Sequence, residues 1–156
     1  MIRIKYGRLE WRAAGSIAQT GLTLIELLVA LVVVGILTAV AVPAYQTYTK
    51  QGAHAEAKGI LLENAQFLER NFTTTNRYDL DSAGNATVLP YTTSPKAGSG
   101  AAKYNISAAY GAAPAQTYTL SATPTGAMTG DACGTLTLTQ AGVQGAGGSI
   151  ADCWQR

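Results

Sequence analysis

The chain has 156 residues, of which 47% are hydrophobic, 13% charged and 17 in number glycine, and its formal net charge is +2. That length holds one domain plus a membrane segment. Arg3, Lys5, Arg8 and Arg12 face a single acid, Glu10, at the N-terminal end. The rest of the chain is therefore near neutral, which removes any global electrostatic case for nucleic-acid binding. One histidine, no Gly-x-Ser-x-Gly elbow, no Walker loop and no paired-carboxylate pattern exclude the common catalytic constellations, and the expectation is a non-enzyme without cofactor or metal.

From Leu27 to Thr49 no residue is charged, and Leu27 to Val42 is almost entirely Leu, Val, Ile and Ala. A helix needs about 20 mainly apolar residues to cross the bilayer core. The run reaches that length when extended back through Leu22-Thr23-Leu24-Ile25, with Glu26 as the one interruption. A basic tail before such a helix stays in the cytoplasm, so the body after it faces the other side. A cleavable secretory signal fits poorly, because Ser16, Gln19 and Thr20 intervene and no small-residue cleavage motif follows the run. An ordinary anchor leaves Glu26 unexplained. An ionisable residue inside an apolar helix costs about 2.5–3.5 kcal/mol even on lenient scales, and no cation follows until Lys50. Gly35 and Pro43 are weak points of the same helix; Pro43 removes a backbone bond and crowds the carbonyl of Ala39.

Beyond Pro43 the pattern turns amphipathic. Leu61, Leu62, Ala65, Leu68 and Phe72 recur at helical spacing as a core-facing stripe. Lys50, His54 and Lys58 share another face, where His54, lacking a metal-ligand partner, reads as a solvated residue. The helix is expected to end between Asn71 and Asn76. Residues 77–103 read as a long loop. Asp79-x-Asp81 with Gly84 faintly echoes a calcium loop, but Ala83 and Pro90 occupy ligand positions, so a turn is expected. Three Asn-x-Ser/Thr matches, at Asn71, Asn85 and Asn105, are of a kind that arises by chance in Thr-rich sequence. Alternating segments follow: Tyr104, Ile106, Ala108 and Tyr110; Tyr118, Leu120 and Ala122; Leu136 and Leu138. Such alternation between Gly and Pro turns predicts a half-buried antiparallel sheet covered by the Leu61–Phe72 stripe, an α+β arrangement. Cys133 and Cys153 are open to three readings, a disulfide, free thiols or half a metal site. With the body outside the cytoplasm a disulfide is the default. Trp154, next to Cys153, most simply packs on that disulfide and the sheet.

The segment Gly21-Leu22-Thr23-Leu24-Ile25-Glu26-Leu27-Leu28, the apolar run and Pro43-Ala44-Tyr45 resemble the class III signal of type IV prepilins. The resemblance implies cleavage after Gly21 by prepilin peptidase and N-methylation of Leu22, although Leu22 stands where the family most often has Phe. It implies that Glu26 neutralises the new α-amine of a neighbouring subunit in a filament core, and that the Gly35–Pro43 segment extends on polymerisation. The fold implied is the pilin fold, a long N-terminal α-helix, half membrane-spanning and half amphipathic, on a small antiparallel sheet. On this reading residues 1–21 are a removed leader, 22–49 the transmembrane and filament-core helix, and 50–156 the head. The head divides into a helix over about 50–72, a loop over about 73–103 and a sheet with a Cys-bounded tail over about 104–156. The segments Gly130–Thr139 and Ala151–Trp154 resemble the C-terminal region of a subset of minor pilins.

These resemblances imply a minor pilin of a type IV pilus, acting in assembly, adhesion or twitching motility. Its partners are other pilin subunits, prepilin peptidase and the inner membrane, with the head in the periplasm before assembly and the subunit in the extracellular filament afterwards. A DNA-receptor pilin is the second reading, resting on Arg77, Lys96, Lys103 and Arg156 with Tyr91 or Tyr104, and is not favoured because these cations are scattered. A type II secretion pseudopilin is the third, and the Cys-bounded tail argues against it.

Overall fold

The computed structural model describes residues 21–155; residues 1–20, which hold most of the expected leader, and Arg156 lie outside them. The described residues form two compact units divided between Val40 and Ala41.

Helix α1 runs from Leu24 to Thr75 and carries the chain from one unit into the other. It starts where the sequence holds a capping box, a Thr followed three residues later by Glu. The Glu26 amide donates to Thr23 Oγ1 at 3.2 Å, and the amides of Glu26 and Leu27 both donate to the Thr23 carbonyl. Every residue from Gly21 to Thr49 is exposed, and α1 is the one described helix long and apolar enough to cross a membrane. The helix stays α-helical through Gly35 and Pro43. Thr38 donates to the carbonyls of Val34 and Gly35 at 2.8 and 3.0 Å. Thr47 donates to the Pro43 carbonyl at 3.1 Å.

In the second unit α1 is covered from Ala53 onward. Its buried residues are Ala53, His54, Ala57, Ile60, Leu61, Asn64 and Leu68. Two sequence expectations need correction here. Leu62 is half exposed rather than core, because the stripe that meets the sheet is centred on Ala57, Leu61, Asn64 and Leu68. His54 is buried rather than solvated, because the C-terminal region, remote in sequence, packs on the face it shares with Lys58. The helix ends as expected: Asn76 takes a left-handed φ of 55°, a conformation Asn tolerates better than most side chains.

The sheet has five antiparallel strands in sequential order. They are β1 (Thr93–Ser94), β2 (Tyr104–Tyr110), β3 (Tyr118–Pro124), β4 (Leu136–Thr139) and β5 (Gln144–Gly145). The three predicted segments are β2, β3 and β4, and their alternation sets the faces as read. Tyr104, Ile106, Tyr118, Leu120, Ala122, Leu136 and Leu138 are buried in one cluster with Leu61 and Leu68. The 77–103 stretch is not wholly loop, since it contains β1 and a bridge between Leu80 and Ala86. Asn64 holds it to the helix: its side-chain amide donates to the Tyr91 carbonyl at 2.8 Å, and its oxygen accepts the Tyr91 amide at 3.3 Å. The β4–β5 turn needs Gly142 at φ 74°, where a side chain would be strained. A short helix, α2 (Ile150–Trp154), closes the chain.

Candidate functional site

In the N-terminal unit the chemistry gathers at the helix start. Gly21 and Leu22 precede the helix in an exposed, non-helical segment. Glu26 lies in the first helical turn, and a carboxylate there is favoured by the unsatisfied amides and dipole of the helix start. Its side chain is exposed. Sequence reading does not single out Thr23, although the Thr-x-x-Glu spacing marks the cap that fixes where the helix begins.

In the head the Cys-bounded tail is fastened to α1. Cys133 and Cys153 form a disulfide. Asp131 Oδ2 lies 2.7 Å from His54 Nε2 and accepts the Cys133 amide at 3.0 Å. A carboxylate only accepts, so His54 donates through Nε2. Lys58 donates to the Trp154 carbonyl at 3.2 Å, and burial lowers the pKa of its ammonium. The Trp154 indole N–H donates to the Gly145 carbonyl at 2.9 Å, so Trp154 packs inward as expected. His54 is the residue that sequence reasoning places wrongly; no local signal links it to Asp131, 77 positions away.

A cleft of about 530 Å³ lies between α1 and the β4–β5 turn, lined by Leu62, Ala65, Glu69, Tyr118 and Leu138 among others. The Tyr78 and Tyr118 hydroxyls both donate to Glu69, one of its lining residues, at 3.1 Å each to the nearer oxygen. Burial raises both phenol pKa values, and the Glu69 bond adds to it.

Of the cations singled out for a DNA-binding patch, Arg156 lies outside the described residues and Arg77, Lys96 and Lys103 are each engaged differently. Arg77 makes a two-pronged pair with Asp79, 2.8 Å from Nε to Oδ1, and this bond holds the Asp79 carboxyl well below the usual range. Lys96 pairs with Glu63 at 2.7 Å and lies over the Tyr91 ring. Tyr104 is fully buried. Lys103 instead shares a recess of about 410 Å³ with Lys50, Gln46, Thr49, Ala127 and Met128. Asp81 caps a turn by accepting the amides of Ala83 and Asn85, as the failed calcium pattern implied.

An apolar helix behind a cleavage-and-methylation motif, joined to an α+β head with a Cys-bounded tail, defines the class of type IV pilins. A model described as a prokaryotic N-terminal methylation motif matches residues 17–42. The chain belongs to the family described as type IV minor pilin ComP, DNA uptake sequence receptor, whose model matches residues 43–137. Among curated proteins it is 54% identical over 48 residues to the type IV major pilin protein PilE1 of Neisseria gonorrhoeae, a match covering 31% of this chain and 28% of that protein. It is 50% identical over 40 residues to a fimbrial protein of Moraxella nonliquefaciens, covering 26% of each. The chain thus aligns with only about a quarter of the length of these relatives. Among solved structures it is similar to a type IV pilin from Shewanella oneidensis, with 29% identity, TM-score 0.46, and 69% of this chain and 99% of that one covered. It is also similar to the Neisseria meningitidis non-core minor pilin PilV, with 21% identity, TM-score 0.42, and 68% and 94% covered.

Proposed function

We propose that the chain is a minor pilin, made as a membrane-anchored precursor and polymerised into a type IV pilus through α1. Prepilin peptidase cuts between Gly21 and Leu22 and methylates Leu22, dividing the chain into the leader 1–21, the filament-core helix 22–49 and the head 50–156. Before assembly the head lies in the periplasm; after assembly it lies on the filament. The observation that carries this is Glu26, an exposed carboxylate in the first turn of a helix with no other charge before Lys50, four residues past the start that cleavage creates. Its partner is the α-amine of an adjoining pilin. Neighbouring helices exclude water around such a pair, and losing one member of a buried pair costs about 3–5 kcal/mol. Gly35 and Pro43 allow the helix to extend between them during polymerisation. Mass spectrometry of the mature protein tests the scheme: the expected N-terminus is methylated Leu22, and any other start overturns it. Deleting the gene and scoring surface pili, twitching and protein secretion separates a pilus subunit from a secretion pseudopilin.

The family description favours a second reading, capture of DNA by the head. Lys50 and Lys103 line one recess and support this reading as phosphate contacts, whereas Arg77 and Lys96 are engaged by acids. A gel shift of the purified protein across a salt series decides it. Binding that falls steeply with salt supports the reading, and no shift at low salt ends it.

A further inference from the structure

One recess of the second unit gathers cations where the uncharged run of α1 gives out. It holds about 410 Å³ and is lined by Gln46, Thr49 and Lys50 of α1 and by Lys103, Ala127 and Met128, all within the unit Ala41–Arg156. The main chain fixes Lys103 in place: its amide donates to the Ser94 carbonyl at 2.7 Å, and its carbonyl accepts the Thr125 amide at 2.8 Å. Gly126 keeps the following turn close, since at its φ of 55° a Cβ would stand 2.9 Å from the Ala102 carbonyl oxygen. No acid lines the recess, and among the described residues neither ammonium has an ion-pair partner. Two unneutralised lysines on one recess repel each other, and an anion between them turns that repulsion into attraction.

The run from Leu27 to Thr49 carries no charge. At about 1.5 Å per residue it measures about 34 Å, slightly more than the bilayer's hydrocarbon core of about 30 Å. Such a run outlasts the core, so its last turns fall in the headgroup layer. Tyr45 and Tyr48 stand in those turns, both exposed, and Tyr is enriched at that level of a membrane. Lys50 follows directly. We propose that before assembly this recess holds the phosphodiester of an anionic glycerophospholipid between Lys50 and Lys103. The proposal rests on reading the chain as a membrane-anchored precursor. Two ammonium groups suit a headgroup of net negative charge and disfavour one that carries its own quaternary ammonium. Nucleic acid fits less well. A strand offers a row of phosphates and is held by a row of cations, whereas Arg77 and Lys96 are engaged by Asp79 and Glu63. The lipid clasp holds the head at the bilayer surface and opens when α1 leaves the lipid for the filament.

The test uses the full-length protein in detergent micelles doped with phosphatidylglycerol or phosphatidylcholine, read by native mass spectrometry. The expected result is one retained phosphatidylglycerol per chain and little phosphatidylcholine. Lys50→Gln and Lys103→Gln should each weaken retention about fivefold, and the double variant about 25-fold. Arg70→Gln, an equal loss of charge outside the recess, should change nothing. Circular dichroism of each variant checks that it folds. Equal retention of the two lipids overturns the proposal. So does unchanged retention in Lys103→Gln, which would leave Lys50 as a general juxtamembrane charge. Displacement of the lipid by an equal concentration of inorganic phosphate or of a short oligodeoxynucleotide also overturns it, and assigns the recess to free phosphate or to DNA. Carbonate extraction of membranes tests the underlying reading separately. A chain that carbonate strips off overturns both, whereas a resistant chain that fails the lipid test overturns this proposal alone.

Discussion

Between Leu24 and Thr49 helix α1 buries nothing, whereas between Ala53 and Leu68 it buries seven residues. Apart from Glu26 its first half is apolar all round and long enough to cross a membrane, which on the proposed function gives it a bilayer and then other subunits as partners. Its second half has one face committed to the sheet of its own chain, and its stability is a matter of internal packing. What an amino acid does in this protein depends first on which half it occupies.

The contrast can be broken most severely at Glu26. Glu26→Ala is expected to leave a processed, membrane-inserted protein that is absent from sheared filaments, read by immunoblot of membrane and pilus fractions. Recovery in filaments at wild-type level would mean that the carboxylate has no assembly partner. Next in size is a matched pair of Leu→Ala substitutions, one in each half. Leu68→Ala removes a fully buried side chain and should destabilise the head by about 2–5 kcal/mol. Leu31→Ala, on the exposed stretch, should leave the head's thermal transition where it was. Replacing both cysteines by Ser should cost about 3 kcal/mol for a loop closed over 20 positions, seen as a melting-temperature loss on the order of 10 °C or more.

The smallest effect is electrostatic and confined to the head. Asp79 has its pKa depressed in the folded state by Arg77 and by the Ala115 amide. The stability it contributes is present above its unfolded value of about 3.9 and is lost as pH falls through the lower folded value. Asp79→Asn should flatten the acid limb of stability below about pH 4, measured by denaturant titration at several pH values. An acid limb unchanged by that substitution would show that the Arg77–Asp79 pair is not what holds the 77–79 turn. Tyr78 and Tyr118 work at the other end. Their raised pKa values give stability that is present below about pH 10 and is lost as pH rises through the higher folded values.

Much of the candidate site was legible because it is written locally. The processing motif, Glu26 and the uncharged run are contiguous; composition and length mark the run, and the resemblance to prepilin signals gives the motif its meaning. The sheet faces were legible too, since Tyr104 through Leu138 alternate with period two whatever covers them. Reading failed where helical spacing had to choose a face. Leu62 and Leu61 are adjacent and equally apolar, and only the position of the sheet decides that Leu61 goes inside. His54 beside two lysines has the pattern of a solvated face, and only the return of the chain at Asp131 makes it a buried partner.

Residue order alone carries the membrane-length apolar helix, the processing motif beside Gly21 and the single acid in an oily stretch, because those properties need only short-range chemistry and length. It carries an α+β head with two cysteines to join as well. Folding in three dimensions decided which cations are neutralised, by Glu63 and Asp79, and which remain around a recess. It also brought His54, Asp131 and Cys133 to one point. Pairings between residues 77 or more positions apart are set by the folding of the whole head, and no periodicity in one segment encodes them.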